Sequence, residues 1–587
     1  MIELSNAVTL IESLVELHIN NSQNGIYLIK SENEEKFIPY NDLYTKCSYV
    51  LYNLQACGLQ AGDELVLQIK DEDNESFLYV FWACLLGKII PVPISVTYNE
   101  NRIKVFKVFS QLKNPKIIIG ERELENLEKF AKDNSLSREF ESLRGNSINI
   151  DGIMREDNLG EIEDVKPDDI AFIQFSSGST GDSKGVILTH KNLLTNINDI
   201  IDGFNGSNKD SMFSWMPLTH DMGLIGCHMM PLVLNINQFI MSTSLFVRHP
   251  ILWLKKINKH RATITTSSNF GFRYFLDHLR DKDYPDWDLS CVRKIFNGAE
   301  PISVDIINEF LDRLKINGLK RTTMYPVYGM AEASLAVAFP PPDEEFSCVY
   351  VRRDSIGVGQ EVVELKRNID SKIAVEFVNE GYSLKHCNIR IVDDFGDVLD
   401  EGKVGYIQIS GDNVTQGYYY NHEATKNAIS IDGWLNTGDL GFIKNKRIVV
   451  TGRAKDIILL NGNTYYPHHI EKESEKIEGI ISGRIVACGL YDERDEKEKL
   501  IVFMLFKKKI EDFVMFIKDI REVINDKIGV NVDEVIPIKS IPKTTSGKVQ
   551  RFKLIEMYKN GEFEHLINKI VEILDKKAVE QCAVTKE

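Results

Sequence analysis

The chain has 587 residues, more than a single hydrophobic core usually holds, so two or more domains are expected. Its hydrophobic content of 43% and charged content of 27% are those of an ordinary globular protein. The net charge of −16 argues against a nucleic-acid binder, whose affinity comes from Lys and Arg on phosphates.

Residues 1–14 are acidic and amphipathic, without the basic start and apolar run of a signal peptide. The longest apolar run, 77–87, is well short of the ~20 residues of a membrane helix and reads as a buried helix, so no membrane span is expected. The nine cysteines form no CxxC pair, which suggests reduced thiols of a cytoplasmic protein. Strand-like runs alternate with amphipathic helices, the pattern of an α/β fold. Residues 41–55 read as a helix with Leu43, Cys47, Val50, Leu51 and Leu54 on one face, Asn41 as N-cap and Gly58 past its end. Residues 65–69 and 117–119 read as buried strands. Residues 170–175 form another, which runs into a Ser/Gly loop. A helix is expected to follow that loop, with Leu193, Leu194, Ile197, Ile200, Ile201 and Phe204 on one face. Ser303 is the expected N-cap of a helix burying Val304, Ile307, Phe310, Leu311 and Leu314. After about residue 450 the pattern changes. Residues 447–450, 457–460 and 500–506 read as strands, and 512–528 as an amphipathic helix with Phe513, Phe516, Ile517, Ile520 and Ile524 on one side. The polar end, 576–587, is expected to fray. The pattern as a whole predicts a large N-terminal α/β domain of several subdomains, 1–452, and a smaller α+β domain, 453–587, with a short link near 452–456.

The loop Ser176-Ser177-Gly178-Ser179-Thr180-Gly181-Asp182-Ser183-Lys184-Gly185 has the composition of a phosphate cradle. Glycines let the backbone approach phosphate oxygens, hydroxyls and N–H groups donate to them, and Lys184 adds a point charge. It fails the Walker A pattern, because Lys184 stands between Ser183 and Gly185, so a P-loop NTPase is disfavoured. The order Ser-Gly-Ser-Thr-Gly-x-x-Lys-Gly instead resembles the signature loop of the acyl-adenylate-forming superfamily. Five more segments resemble that superfamily's motifs, in its order. Asn297-Gly298-Ala299-Glu300-Pro301 is similar to the adenine-pocket segment. Tyr328-Gly329-Met330-Ala331-Glu332 is similar to the segment that stacks on adenine and holds Mg²⁺. Gly433-Trp434-Leu435-Asn436-Thr437-Gly438-Asp439 resembles the ribose-binding stretch, Thr451-Gly452-Arg453-Ala454-Lys455-Asp456 the interdomain hinge, and Pro542-Lys543-Thr544-Thr545-Ser546-Gly547-Lys548 the catalytic-lysine loop. Three departures are seen. Ser183 stands where the family often has Pro, Phe175-Ser176 where it has Tyr-Thr, and Ala331 where a Thr is common.

The resemblance implies ATP and Mg²⁺ as cofactors and a carboxylic acid as substrate. A carboxylic acid ordinarily titrates near pH ~4 and is already ionised at neutral pH, so catalysis needs alignment and charge neutralisation rather than a general base. By resemblance, Ser177, Gly178, Ser179, Thr180, Gly181 and Lys184 hold phosphate. Asn297, Gly298, Ala299, Glu300, Tyr328, Gly329, Met330 and Ala331 surround adenine. Glu332 anchors Mg²⁺, Asp439 accepts from the ribose hydroxyls, and Arg453 contacts ribose or phosphate. Lys548 bridges carboxylate and α-phosphate from a mobile C-terminal domain, about the hinge Lys455. His220 lies near the carboxylate, Gly462 faces the pantetheine thiol tunnel, and Asn269, Phe270 and Gly271 bound the acyl pocket.

Gln174, the run His220-Asp221-Met222-Gly223-Leu224-Ile225-Gly226, and the Asn297–Pro301 segment resemble the fatty acyl-AMP ligase branch. So does an insertion placed at 354–379, which in that branch packs on the large domain and hinders the CoA-forming arrangement. That resemblance implies transfer to the thiol of a separate holo acyl carrier protein, for which the basic run Lys507-Lys508-Lys509 is a candidate docking patch. An acyl-CoA synthetase, an aryl-acid AMP ligase and a non-catalytic nucleotide-binding homologue are the alternatives.

Overall fold

The computed structural model describes residues 7–176, 183–280, 284, 286–367, 369–492, 497–543 and 548–584. They form two compact units. The first comprises 1–346, 380–389 and 408–436; the second comprises 347–379, 390–407 and 437–587.

The first unit is built on a seven-stranded sheet in the order Met324–Pro326, Lys294–Asn297, Ile264–Ser267, Ser211–Ser214, Asn237–Met241, Gly25–Ile29 and Glu35–Pro39. Every neighbouring pair is parallel except the last, where Gly25–Ile29 and Glu35–Pro39 form a hairpin. A second, all-parallel sheet runs Ile90–Pro93, Glu64–Gln68, Lys116–Ile119 and Ser147–Asn149. Its strands carry Val66, Val92, Ile117 and Ile119 into a core shared with Ile173 and Phe175. The helix expected at 41–55 spans Tyr40–Ala56, and its five predicted residues are buried. Its N-cap is Pro39, not Asn41. The helix begins a residue earlier because the extended Pro39 ends a strand, and the Asn41 side chain instead bonds Asn21. The helix Asn74–Leu86 is buried all round, and among the described residues no helix is long and apolar enough to cross a membrane.

One element departs from expectation where it matters. The Ser/Gly loop does not lead into a helix. It joins two antiparallel strands, Ile170–Ser176 and Lys184–Thr189, with Phe175 opposite Gly185 and Ser176 opposite Lys184. The helix follows only at His190–Gly203, capped by Thr189. Residues 185–188 are apolar because that strand is buried, and in the sequence they merge with the start of the helix.

In the second unit, the strand Cys348–Arg352 precedes the expected insertion and pairs antiparallel with Ala374–Val378 inside it. Val351, Ile356, Val362, Val375 and Phe377 share a core with Val404, Phe442 and Val449, and also with Tyr466. The insertion therefore packs on residues from both sides of position 452. Further on, a three-stranded sheet of Ile485–Asp492, Lys497–Leu505 and Glu534–Ile538 alternates its side chains between two cores. Ile485, Ala487, Leu500, Val502 and Met504 meet the helix Ile510–Ile528. Val486, Cys488, Ile501 and Phe503 meet Leu554 of the helix Arg551–Lys559. Of the polar end, 576–584 is helical as part of Glu564–Val584, where fraying was expected, and 585–587 lie outside the described residues.

Candidate active site

In an open α/β sheet, ligands bind beyond the carboxyl ends of the parallel strands. Four strands of the large sheet end together here. Thr265 pairs with Phe213, Ser267 with Asn297, and Asn297 with Pro326. The four segments that leave that edge are Trp215–His220, Ser268–Gly271, Gly298–Glu300 and Val327–Glu332. Chain segments distant in sequence are thus gathered by register, and each holds residues to which the resemblance assigned a role.

The backbone is strained at two of these exits. Ala299 has φ +72°, in the left-handed region that favours glycine. Ser334, just past Glu332, has φ 64° and ψ −64°, and Leu335 N donates to Ala333 O at 2.8 Å, the geometry of the rare strained γ-turn. Such strain persists where the surroundings over-determine it, and it clusters at ligand sites. The surroundings are visible. Ser334 Oγ donates to Asn413 O at 2.9 Å, and Thr415 N donates to Glu332 O at 2.8 Å.

Asn297 is fully buried, and neither atom of its side-chain amide has a partner among the described residues. A buried amide without partners is costly, so this unspent hydrogen-bonding capacity marks the end of its strand. Glu300 Oε1 accepts from Phe270 N at 3.0 Å, and Asn269 clamps the same loop, donating to Pro301 O at 2.6 Å and accepting from Ser303 N at 3.1 Å. Two residues expected at adenine and acyl chain thus tie their loops to each other. Ser303 stands at the N-cap of Val304–Leu314, as expected, without a side-chain capping bond. Gly271 is compelled by contact. A Cβ there would lie 2.2 Å from Ser267 Oγ and 2.3 Å from Cζ2 of Trp215.

His220 is partly buried, with Nδ1 2.6 Å from Asp221 Oδ1. Met222 N donates to Asp221 Oδ1 at 2.7 Å and lies 3.3 Å from the same ring nitrogen, so the turn is held on the Nδ1 side of the imidazole. Gln174 Nε2 donates to Thr219 O at 3.1 Å, fixing this turn to the strand before the phosphate loop. A π-helix, Met222–Met229, follows immediately, a form that recurs at functional sites.

Glu332 and Lys184 are brought together by a residue that the sequence motifs did not include. Tyr418 O–H donates to Glu332 Oε1 at 3.1 Å, and the Lys184 ammonium lies over the Tyr418 ring, 4.8 Å from its centroid. The only sequence signal was the aromatic run Tyr418-Tyr419-Tyr420 after a glycine. The Glu332 carboxylate is buried, and no Lys or Arg pairs with it among the described residues. Among those residues no three His, Cys, Asp or Glu could hold a metal alone. A lone carboxylate with lone pairs to spare suits Mg²⁺, which takes one or two carboxylates and completes its shell with phosphate oxygens and water. Tyr328 and Ala331 are buried, while Ser177, Gly178, Ser179, Thr180 and Gly181 lie outside the described residues.

The remaining expected residues belong to the second unit. Asp439 and Arg453 are partners across the strands Leu435–Lys444 and Arg447–Arg453, with Arg453 Nε 2.8 Å from Asp439 Oδ1. Lys455 is exposed. Gly462 has φ +75° after Asn461 at +52°, the two-residue turn between Ile458–Leu460 and Asn463–Tyr465. Lys548 is exposed beside the bridge between Lys543 and Val549; residues 544–547 lie outside the described residues.

Comparison with known proteins supports the fold. The family model of AMP-binding enzymes matches residues 18–419. A putative acyl-CoA synthetase of Caulobacter vibrioides is 28% identical over 554 residues, covering 92% of this chain and 93% of its own. The medium-chain-fatty-acid–[acyl-carrier-protein] ligase JamA of Moorena producens is 28% identical over 545 residues, covering 89% and 90%. A solved structure from a study of fatty acyl-adenylate ligases of E. coli and L. pneumophila superposes with a TM-score of 0.86 at 27% identity, covering 96% of this chain and 99% of that one. The chain therefore belongs to the AMP-binding enzyme family, the adenylate-forming ligases.

Proposed function

We propose that the chain activates a fatty acid as its acyl-adenylate and passes the acyl group to the phosphopantetheine thiol of a separate acyl carrier protein. In the first step a carboxylate oxygen bonds to the α-phosphorus of ATP, the bond from that phosphorus to the bridging oxygen breaks, and pyrophosphate leaves. Two anions must meet, so the barrier is charge repulsion and alignment, and the residues fit that demand. Lys184 supplies positive charge at the phosphate loop. Tyr328 and the strained Ala299 loop border the adenine. Asp439, held by Arg453, accepts from the ribose hydroxyls. His220 stands beside the acid, with its Nδ1 side held by Asp221. Lys548 compensates the charge that builds as the new bond forms. Glu332 would hold Mg²⁺, which screens the phosphate oxygens when bound.

The observation that carries this reading is the assembly of Glu332 and Lys184 around Tyr418 at the carboxyl edge of the parallel strands. The acceptor rests on the likeness to fatty acyl-AMP ligases and to the carrier-protein ligase JamA. A second acceptor, CoA, is favoured by the name of the Caulobacter relative.

The test is acid-dependent exchange of labelled pyrophosphate into ATP across a panel of fatty and aryl acids, followed by thioester formation with holo carrier protein and with CoA. Exchange with at least one acid, and transfer to the carrier ahead of CoA, are expected. Rapid CoA thioester formation moves the assignment to an acyl-CoA synthetase; no exchange with any acid removes it. Lys548→Ala should lower exchange by roughly a hundredfold or more while ATP binding stays near wild type. Undiminished exchange would remove Lys548 from the chemistry.

A further inference from the structure

Tyr418 is held on several sides. Its main chain bridges to Val186, the next residue's N–H donates to Gly185 O at 2.7 Å, and its own N–H donates to Thr425 Oγ1 at 2.9 Å. It is 9% exposed. The side chain of so fixed a residue has little freedom, and both of its recognition surfaces are engaged. The hydroxyl donates to Glu332, and the face of the ring lies under Lys184. Lys184 and Glu332 carry opposite charge, yet they form no direct ion pair among the described residues; each meets Tyr418 instead.

We propose that Tyr418 is the positioning residue of this site, one that sets the plane of the Glu332 carboxylate and the resting place of the Lys184 ammonium before nucleotide arrives. The proposal rests on the roles given above to Glu332 and Lys184. The O–H bond takes up one lone-pair direction of Oε1 and so orients the other oxygen of Glu332 for a cation. Hydrogen bonds to ligating carboxylates orient them in this way, and their loss costs about 10–100-fold in metal affinity. The ring gives the ammonium a site of about the right strength to leave: a cation over tyrosine is attracted, but less firmly than by a carboxylate. Without it, Lys184 is free to pair with Glu332, and each would then be withdrawn from its own ligand.

Two variants separate these parts. Tyr418→Phe keeps the ring and deletes the donor, whereas Tyr418→Leu removes both. Mn²⁺ binding is read by electron paramagnetic resonance in protein saturated with a non-cleavable α,β-methylene ATP analogue. Binding of that analogue without metal is read by calorimetry, and the melting temperature of the ligand-free protein reports on folding. Tyr418→Phe should raise the Mn²⁺ Kd about tenfold while metal-free analogue binding stays within about twofold of wild type. Tyr418→Leu should weaken both. The midpoint of exchange activity against Mg²⁺ concentration should move with the Mn²⁺ Kd. An unchanged Mn²⁺ Kd in Tyr418→Phe overturns the proposal. So does a lowered melting temperature with equal loss of exchange at every Mg²⁺ concentration, since that is what a merely structural tyrosine would give. Wild-type protein that binds no Mn²⁺ with the analogue overturns the assignment of Glu332 itself, a result visible before any variant is made.

Discussion

At the scale of single residues, the site is defined by groups whose local cost has no local return. Ala299 sits at a left-handed φ that costs an L-residue roughly 1–2 kcal/mol, and Ser334 occupies a γ-turn of similar strain. Gly271 shows the opposite case, a residue chosen for what it lacks. Trp215 is stacked on Phe246, ring centroids 3.9 Å apart, and set edge-on to Trp253, so its indole has nowhere to retreat. A methyl group at 271 would overlap that indole and Ser267 Oγ. Gly271→Ala should therefore destabilise the first unit by about 1–3 kcal/mol, the usual cost of overpacking. It should also raise the KM for the acid more than the KM for ATP, because the Asn269 clamp on the Pro301 loop is untouched. Urea denaturation and exchange kinetics with each substrate varied in turn read both effects. An equal rise in the two KM values would place Gly271 outside the acyl side of the site.

At the scale of elements, the helices were legible because their apolar faces recur at the helical period. Leu43, Cys47, Val50, Leu51 and Leu54 are buried as expected, and so are Ile307, Phe310, Leu311 and Leu314. The strand Lys184–Thr189 was not legible, since a short apolar run abutting a helix has no period of its own. Tyr418 was hidden for another reason: Glu332 and Lys184 lie far from it along the chain, and only the folded register joins them. Gly462 is the instructive middle case. Its resemblance assigns it to a thiol passage, but Asn461-Gly462 is also a two-residue hairpin turn, whose positive φ values alone account for both residues. The two explanations part at Gly462→Asn. Asparagine tolerates the left-handed region, so the turn survives and the urea midpoint should stay near wild type. Ala or Trp would add backbone strain to any obstruction. If the thiol arm passes here, Gly462→Asn slows thioester formation much more than pyrophosphate exchange. A variant with both rates at wild-type values would leave the turn as the whole reason for the glycine.

At the scale of the whole molecule, both units hold uncharged histidines, buried in the first unit and partly buried in the second, which makes acid stability a property of the entire chain. In the first unit Trp82 Nε1 donates to His228 Nε2 at 2.8 Å, so the proton is on Nδ1, which meets Gln238 Oε1 at 2.9 Å; Gln238 in turn donates to Tyr40 at 2.6 Å. A second proton on His228 would face the Trp82 N–H. Burial pushes His228 down to about 4, and it does the same for His190, against an ordinary value of 6.5. In the second unit His468 and His469 lie with ring centroids 4.2 Å apart, and burial lowers both, helped by Arg551 and Lys472 at His468 and by the neighbouring His468 at His469. The sign follows. Below about pH 6.5 the unfolded chain takes up protons at these positions and the folded chain does not, so stability falls with pH until the folded groups titrate near 4. Each fully buried site contributes up to about 1.4 kcal/mol per pH unit in that window. Urea midpoints measured from about pH 7 to about pH 4.5 should decline steadily. His228→Gln should be less stable at neutral pH by roughly 1–3 kcal/mol, because it breaks a buried network. It should then lose stability less steeply on acidification, and only in the transition of the first unit, since the second retains its own pair. A slope identical to wild type in that variant would show that the acid sensitivity arises elsewhere.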